Sequence, residues 1–378
     1  MHNGVVGSTG IPDAVLTRAR RTARDIGRSA ADLGGAVTVD ADEILTGRAA
    51  LLGLAPAGRV SAGGSTRLLS TRDGWCALTL SRAEDLETLP AFLETAEHPD
   101  DPWAVLATAA AECDADEFVA RARLLDLPAA VLGEVAPAPP RFRPTGQRAP
   151  RRIGELLVAD LSSMWAGPLC GHLLAAAGAT VVKVESAGRP DGTRRGDPRF
   201  FEWMNAAKLS YSVDFRSGEL RPLLEAADVV IEGSRPAALH RRGLGSEQVP
   251  GRPGRIWLRL TGYGTQGERA DRVAFGDDAA VAGGLVGAGV VFVGDAIADP
   301  LTGLAAAKAV LDSLGRGGGE IVDIALAEVA ADYAVLPLCV TQGAAPARVP
   351  SPPPLAAPEL GADNQRVRAL VESRLATC

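Results

Sequence analysis

From residue 153 onward the chain alternates short, continuous apolar runs with stretches of helical spacing. GELLVAD, TVVKVE, YSVDF, DVVIEG, RIWLRLTG and EIVDIAL are rich in Val, Ile and Leu, and many are closed by glycine. Between them lie PLCGHLLAAAG and the segments 217–226 and 300–314, whose apolar residues recur at helical intervals. Runs that are apolar on both faces suit strands of a parallel sheet covered by helices on each side. The pattern predicts an α/β fold: a doubly wound, mostly parallel sheet, Rossmann-like, over 153–335.

Ahead of this region the rhythm differs. RVSAGGSTRLLSTRDGWCALTLS places Gly63 and Gly64 before two strand-like runs joined at Asp73-Gly74, a hairpin signal. Helical spacing follows over 83–94 and 114–126, and LPAAVLGEV reads as a further strand. These elements predict a small α+β domain over 1–135, which includes an exposed amphipathic helix near the N-terminus carrying Arg18, Arg20, Arg21 and Arg24. The segment 136–152 has five prolines and no periodicity, so it reads as an extended linker. Over 336–378 we expect a Pro/Ala-rich strap, Thr341 to Ala357, and then a helix from Asp363 to Leu375. The run Ala279 to Gly294 is apolar and free of charge, but it is rich in glycine and shorter than the roughly 20 residues that span a bilayer. It reads as a buried strand-and-turn segment, and no membrane association is expected.

Composition narrows the function classes. Of 378 residues, 47% are hydrophobic and 22% charged, as in ordinary folded domains. A net charge of −7 argues against a general nucleic-acid binder. Cys76, Cys113, Cys170, Cys339 and Cys378 form no CxxC pair, and the four histidines complete no ligand spacing, so reduced thiols and no metal are expected. The first residues lack the basic-then-apolar layout of a secretory signal, which predicts a cytoplasmic protein. Lysine occurs only at 183, 208 and 308, which confines any lysine chemistry to three positions.

An open parallel sheet binds ligands at the carboxyl ends of its strands, here the loops after Asp160, Glu185, Glu232 and Leu260. The first of these, LSSMWAGP, is not the GxGxxG turn of dinucleotide enzymes. Glu185 does end the second strand, where a dinucleotide-binding acid sits, so a nicotinamide-dependent dehydrogenase remains an alternative. Between Lys183 and Arg242, eleven basic residues outnumber nine acidic ones, which suits either a phosphate-rich ligand or solvated helix ends. Asp299-Pro300 precedes an apolar helix; by pattern alone it is an N-cap followed by proline at the first helical position.

The ordered series VADLSSMWAGPLCGHLLAAAGATVVKVE, MNAAKLSYSVDFRS, ADVVIEGSRPAALHRRGLG, RLTGYGTQG, DPLTGLAAAKAVL and GGGEIVDIALAE resembles family III CoA-transferases, the CaiB/BaiF family. The resemblance implies coenzyme A as cosubstrate, with acyl-CoA and carboxylate substrates, and a homodimer. It implies Asp299 as nucleophile, with Met164, Trp165, Ala166, Val213, Arg216 and Arg241 at the coenzyme and Trp165 facing the acyl group. The small domain precedes the large one here, which reads as a permutation of the family order, with Gly63 and Gly64 as the loop covering the catalytic site. Ser186 stands where many members have a basic residue, Gly233-Ser234 replaces a common Asn-Phe pair, and the stretch from Leu285 to Ala298 is shorter than usual. The first two departures thin the expected coenzyme contacts, and with the short stretch they leave a changed acyl pocket, or loss of catalysis, as open readings.

A carboxylate of ordinary pKa, about 3.9, is ionised at neutral pH and attacks a thioester without a base. The expected reaction is therefore CoA transfer through aspartyl anhydride and thioester intermediates, with glycine-loop N–H groups at the oxyanions. An α-methylacyl-CoA racemase-type epimerase is the alternative on this fold. It needs a base in VAFGDDAAVAGG, which has no histidine, so Asp277 or Asp278 would serve. A non-catalytic CoA-binding protein is a third reading.

Overall fold

The structure is a computed structural model that describes residues 10–235, 237–338 and 347–376. Among the described residues there are ten strands: β1 (Thr66–Ser70), β2 (Trp75–Thr79), β3 (Ala129–Val131), β4 (Arg141–Pro144), β5 (Leu157–Asp160), β6 (Thr180–Glu185), β7 (Leu209–Ser212), β8 (Val229–Glu232), β9 (Ile256–Thr261) and β10 (Glu320–Ala325). The first three form an antiparallel sheet in chain order. The other seven lie in the order β4-β10-β9-β8-β5-β6-β7, and only the β4–β10 pair is antiparallel. The chain winds outward from β5 to β7, then crosses back to β8 and winds the other way. This places the topological switch point between β5 and β8, where doubly wound sheets open a crevice for ligands.

Every residue of β5, β8 and β10 is buried, as expected of strands covered on both faces. Alternate residues feed two cores. Val158, Ile231 and Leu258 pack beneath the helices Ala166–Ala176 and Ala298–Gly315, while Leu157, Val230 and Trp257 pack beneath the helices Leu220–Ala226 and Asn364–Ala376. Val367 and Val371 anchor the last helix, and Asn364 serves the free edge of β7 by accepting from the Ser212 N–H and donating to its carbonyl.

Four sequence expectations change. In the N-terminal helix, Asp13–Asp32, Arg21 and Arg24 point outward as expected, whereas Arg18 and Arg20 are half-buried and paired with Asp332 and Asp42; Val15, Leu16, Ala19, Ile26 and Ala30 are buried in the core of the large sheet and not with β1–β3. A second helix, Ala41–Leu52, joins the same core through Ile44 and Leu45. The segment 136–152 is not wholly linker: Arg141–Pro144 is an edge strand exposed along its length, which is why it shows no apolar alternation. The segment 83–94 is two short helices, Ala83–Glu87 and Leu89–Leu93, with Pro90 at the start of the second. The run Ala279 to Gly294 begins in the helix Gly276–Ala282 and continues as turns with one bridge, Gly287 to Val291. In the expected strap, residues 341–346 lie outside the described residues, as do Cys339, Cys378 and His2; Cys76, Cys113 and Cys170 are free thiols. No helix among the described residues is long and apolar enough to cross a membrane.

Candidate active site

The helix Ala298–Gly315 leads back to β10, so its first turn lies at the carboxyl edge of the parallel sheet. It packs along the helix Ala166–Ala176, and a Cβ at Gly303 would stand only 2.9 Å from the Ala166 carbonyl oxygen. That close approach brings Asp299 to the same end of the sheet as Trp165. The helix begins at Ala298, and the Asp299 N–H donates to the Ala296 carbonyl at 2.9 Å. Asp299 therefore sits inside the first turn and does not cap the helix, contrary to the capping reading of Asp299-Pro300. Ala296 holds a left-handed backbone, φ 42°, just before the turn, and Met164 does the same, φ 72°, just before Trp165. Such conformations are costly for residues with a Cβ and gather at functional sites.

Three carboxyl groups converge here: Asp277 from the helix Gly276–Ala282, Asp295 from the loop before Ala298, and Asp299. Asp277 accepts from the Ala296 N–H at 3.1 Å, and Asp299 from the Gly276 N–H. A Cβ at Gly276 would lie 2.5 Å from Asp299 Oδ2 and 2.3 Å from the Ala296 carbonyl oxygen, so only glycine fits. Burial, opposed by Arg48 and reinforced by the neighbouring carboxylates, pushes Asp299 up to about 7. Burial and Asp295 push Asp277 up to about 6. Burial thus works against the fully ionised Asp299 that an ordinary pKa would give. Asp278 points elsewhere, accepting from Thr79 Oγ1 at 3.1 Å and the Phe275 N–H at 2.9 Å, and so ties this helix to β2. Its burial raises it to about 7 as well.

Arg48, from the helix Ala41–Leu52, is the cation of the cluster. It donates to Asp295 at 2.5 Å, and its guanidinium carbon lies 5.7 Å from the Trp165 ring and 5.5 Å from that of Phe200. Trp165 and Phe200 meet edge to face at 5.4 Å, giving the site an aromatic wall. The indole N–H of Trp165 is buried with no hydrogen-bond partner. The glycine loop reaches this place within the same chain, since a Cβ at Gly63 would be 4.0 Å from Arg48 Nη2. Gly64 adopts φ 76°, and its N–H is committed to the Ser61 carbonyl at 2.9 Å, so Gly63 alone of the pair has its N–H outside that turn.

The other expected residues line the carboxyl edge. Ala166 is buried at the helix start, and Met164 is exposed, its N–H donating to both oxygens of Asp191 at 3.2 Å. Val213 is buried directly after β7. Arg216 is exposed and paired with Asp214 at 3.1 Å, and Arg241 is also exposed; Arg242 adds to the positive field on Asp214 from the neighbouring loop. The structure thus places Met164, Trp165 and Ala166 together in the loop after β5 and sets Val213 and Arg216 farther along the edge, after β7.

Arg48, Asp295, Phe200 and Gly276 were not legible as site residues, although Asp295 lies only four positions before Asp299. Missed too was a buried ionic frame beneath the loop after β5. Lys208 pairs with Asp160 at 2.8 Å and Lys183 with Asp191 at 2.7 Å, and Lys183 also donates to the Ser162 carbonyl. Lys308 pairs with Asp312 at 2.5 Å, so all three lysines are engaged in ion pairs. Glu185 holds Arg194 at 2.7 Å and the Asp191 N–H at 2.9 Å. That commitment removes the group on which the dehydrogenase reading rested.

The sequence profile of CoA-transferase family III matches residues 154–364. Succinyl-CoA–D-citramalate CoA-transferase of Chloroflexus aurantiacus is 32% identical over 209 residues, 49% of this chain and 51% of that protein. Succinate–glutarate CoA-transferase of Agrobacterium fabrum is 30% identical over 207 residues, 47% of this chain and 51% of that protein. Among solved structures, a CAIB/BAIF family protein from Brucella suis aligns with TM-score 0.44 and 30% identity over 49% of this chain and 55% of that one. The chain spans about half the length of the curated relatives it matches. The switch point of the sheet and Asp299 both lie inside a match covering more than half of the chain, and the chain belongs to CoA-transferase family III.

Proposed function

We propose that this protein moves coenzyme A from an acyl-CoA thioester to a free carboxylate, with Asp299 as nucleophile. The observation that carries the reading is the Asp299 carboxyl at the carboxyl edge of the sheet, on the same end as Trp165 and in the field of Arg48. The ionised Asp299 attacks the thioester carbonyl, the C–S bond breaks, and CoA leaves as its thiolate. The thiolate attacks the aspartyl carbonyl of the mixed anhydride, expelling the donor acid and forming an aspartyl-CoA thioester. The acceptor carboxylate reverses these two steps, and no proton is consumed. The relatives named as succinyl-CoA or succinate transferases favour a dicarboxylic donor. Met164, Trp165, Ala166, Val213, Arg216 and Arg241 are our candidates for holding the coenzyme, and a cytoplasmic homodimer is the proposed working form.

A second reading gains from one observation. Asp277 was an unpromising base at an ordinary pKa, but burial brings it to about 6 beside an Asp299 at about 7. Two carboxyl groups poised near neutrality can exchange a proton at the α-carbon of an acyl-CoA, the step of an epimerase. Incubation with succinyl-CoA and a panel of free acids in deuterated water separates the two. Acyl exchange with no α-deuterium supports transfer; α-deuterium without exchange supports epimerisation and rejects transfer.

A further inference from the structure

The two adjacent aspartates of the helix Gly276–Ala282 point to different places, yet a line of side-chain oxygens joins them. Asp277 Oδ2 lies 3.4 Å from Thr66 Oγ1, that oxygen 3.0 Å from Thr79 Oγ1, and that one 3.1 Å from Asp278 Oδ1. Thr66 and Thr79 stand opposite one another on β1 and β2, so the strand pairing itself sets the two hydroxyls side by side. Thr66, Thr79 and Asp278 are buried, whereas Asp277 is half-buried at the end that meets the carboxyl cluster. Three oxygen-to-oxygen contacts need three hydrogens, and the two hydroxyls supply two. With both carboxyl groups ionised, each hydroxyl turns to its own carboxylate and the threonine oxygens face one another unbridged. One proton on either carboxyl fills every contact. We propose that Asp277 and Asp278 hold one proton in common and pass it along the Thr66 and Thr79 hydroxyls.

When the proton moves outward, the O–H bond at Asp278 breaks as one forms at Thr79, whose own proton passes to Thr66, and that of Thr66 to Asp277. Both hydroxyls are restored, and no proton leaves the protein. The inference concerns the resting protein and goes beyond the transfer reading. What it adds is a site whose charge adjusts to its contents: an acceptor carboxylate entering beside Asp277 draws the proton to that end and leaves the charge on the buried Asp278, with no uptake from solvent. Asp277 has Arg48, Asp295 and Asp299 as charged neighbours and takes a hydrogen bond from the Ser61 hydroxyl. Asp278 neighbours Tyr263, whose ring centre is 3.8 Å from the Arg272 guanidinium carbon, and accepts from the Phe275 N–H. The helix Leu326–Ala334 meets Gly283 through Ala327, Ala330 and Ala331 and brings no charge there. Burial raises the two carboxyls to about 6 and about 7, which suits a proton kept near neutral pH.

Carbon-13 NMR of the full-length protein, labelled at the aspartate side-chain carboxyl and titrated with pH, follows both groups without turnover. Their signals are assigned by loss in Asp277→Asn and Asp278→Asn. In the wild type, departure of the shared proton should move both carbons together, at one midpoint. Thr66→Val removes a hydroxyl and breaks the line, so the two carbons should then titrate at least about one pH unit apart. Thr66→Ser keeps the hydroxyl and should restore the common step. Separate midpoints in the wild type overturn the proposal. A common midpoint that survives Thr66→Val overturns it as well, since the coupling would then be charge acting through space. Should Thr66→Val fail to fold, the wild-type titration and Thr79→Val, judged in the same way, decide. Undiminished CoA transfer by Asp299→Asn rejects the nucleophile reading separately, whatever the titration shows.

Discussion

The Asp299 carboxyl stands in a buried place where three charged neighbours act on it. An aspartate before an apolar helix in the ordered family series marks it, but its ionisation depends on Arg48, Asp277 and Asp295, which converge from three segments by tertiary folding. Its folded pKa stands above the unfolded value, so its contribution to stability is full below about pH 4 and is lost as pH rises through about 7. Asp299→Asn should therefore abolish transfer while raising Tm at pH 8 by about 2 °C, the yield of about 1 kcal/mol in a chain of this size. The gain should vanish toward pH 4 in thermal melts; a lower Tm at pH 8 would make Asp299 a structural residue. The same shift predicts that transfer by the wild type climbs with an apparent midpoint near 7, and a plateau down to pH 5 would contradict it. Gly276→Ala puts a methyl into the Asp299 carboxylate and the Ala296 carbonyl. It should cost about 1–3 kcal/mol in denaturant unfolding and at least about tenfold in turnover.

The parallel strands were readable because burial on both faces leaves an unbroken Val/Ile/Leu run, as in TVVKVE for β6. β4 escaped notice for the opposite reason: exposed throughout, it carries no pattern. The helix Gly276–Ala282 reads as a strand-and-turn because its continuation is all small and apolar. Ion pairs across strands left no sequence mark either, yet their lysines hold the loop after β5 through the Ser162 and Pro168 carbonyls. Lys208 reaches Asp160 and the Pro168 carbonyl, each at 2.8 Å, in full burial. Lys208→Met leaves the buried Asp160 without its ion-pair partner, with the Ser162 N–H and hydroxyl still donating to it, and should cost about 3–5 kcal/mol in chemical denaturation. Adding Asp160→Asn should recover much of that loss; an additive double variant would show that the two do not act as a pair.

At the scale of the molecule, the N-terminal helices belong to the core of the large sheet, whereas β1–β3 bring the glycine loop to the site from outside it. The boundary near 136–152 was read from proline content, which reports backbone stiffness and says nothing of where the preceding helices pack. We expect a Gly63→Val, Gly64→Val double variant to raise hydrolysis of acyl-CoA relative to transfer, because valine at the left-handed Gly64, φ 76°, strains the turn that carries the loop to the site and so admits water. Light scattering at micromolar concentration tests the proposed homodimer, and a monomer mass would remove it. The central claim is tested most directly by trapping. Borohydride reduces an aspartyl thioester to homoserine, so the full-length protein is mixed with succinyl-CoA, quenched with borohydride and digested for peptide mass spectrometry. The account predicts homoserine at position 299, dependent on succinyl-CoA and absent when CoA thioester is withheld. CoA exchange proceeding with an unmodified Asp299 would contradict it.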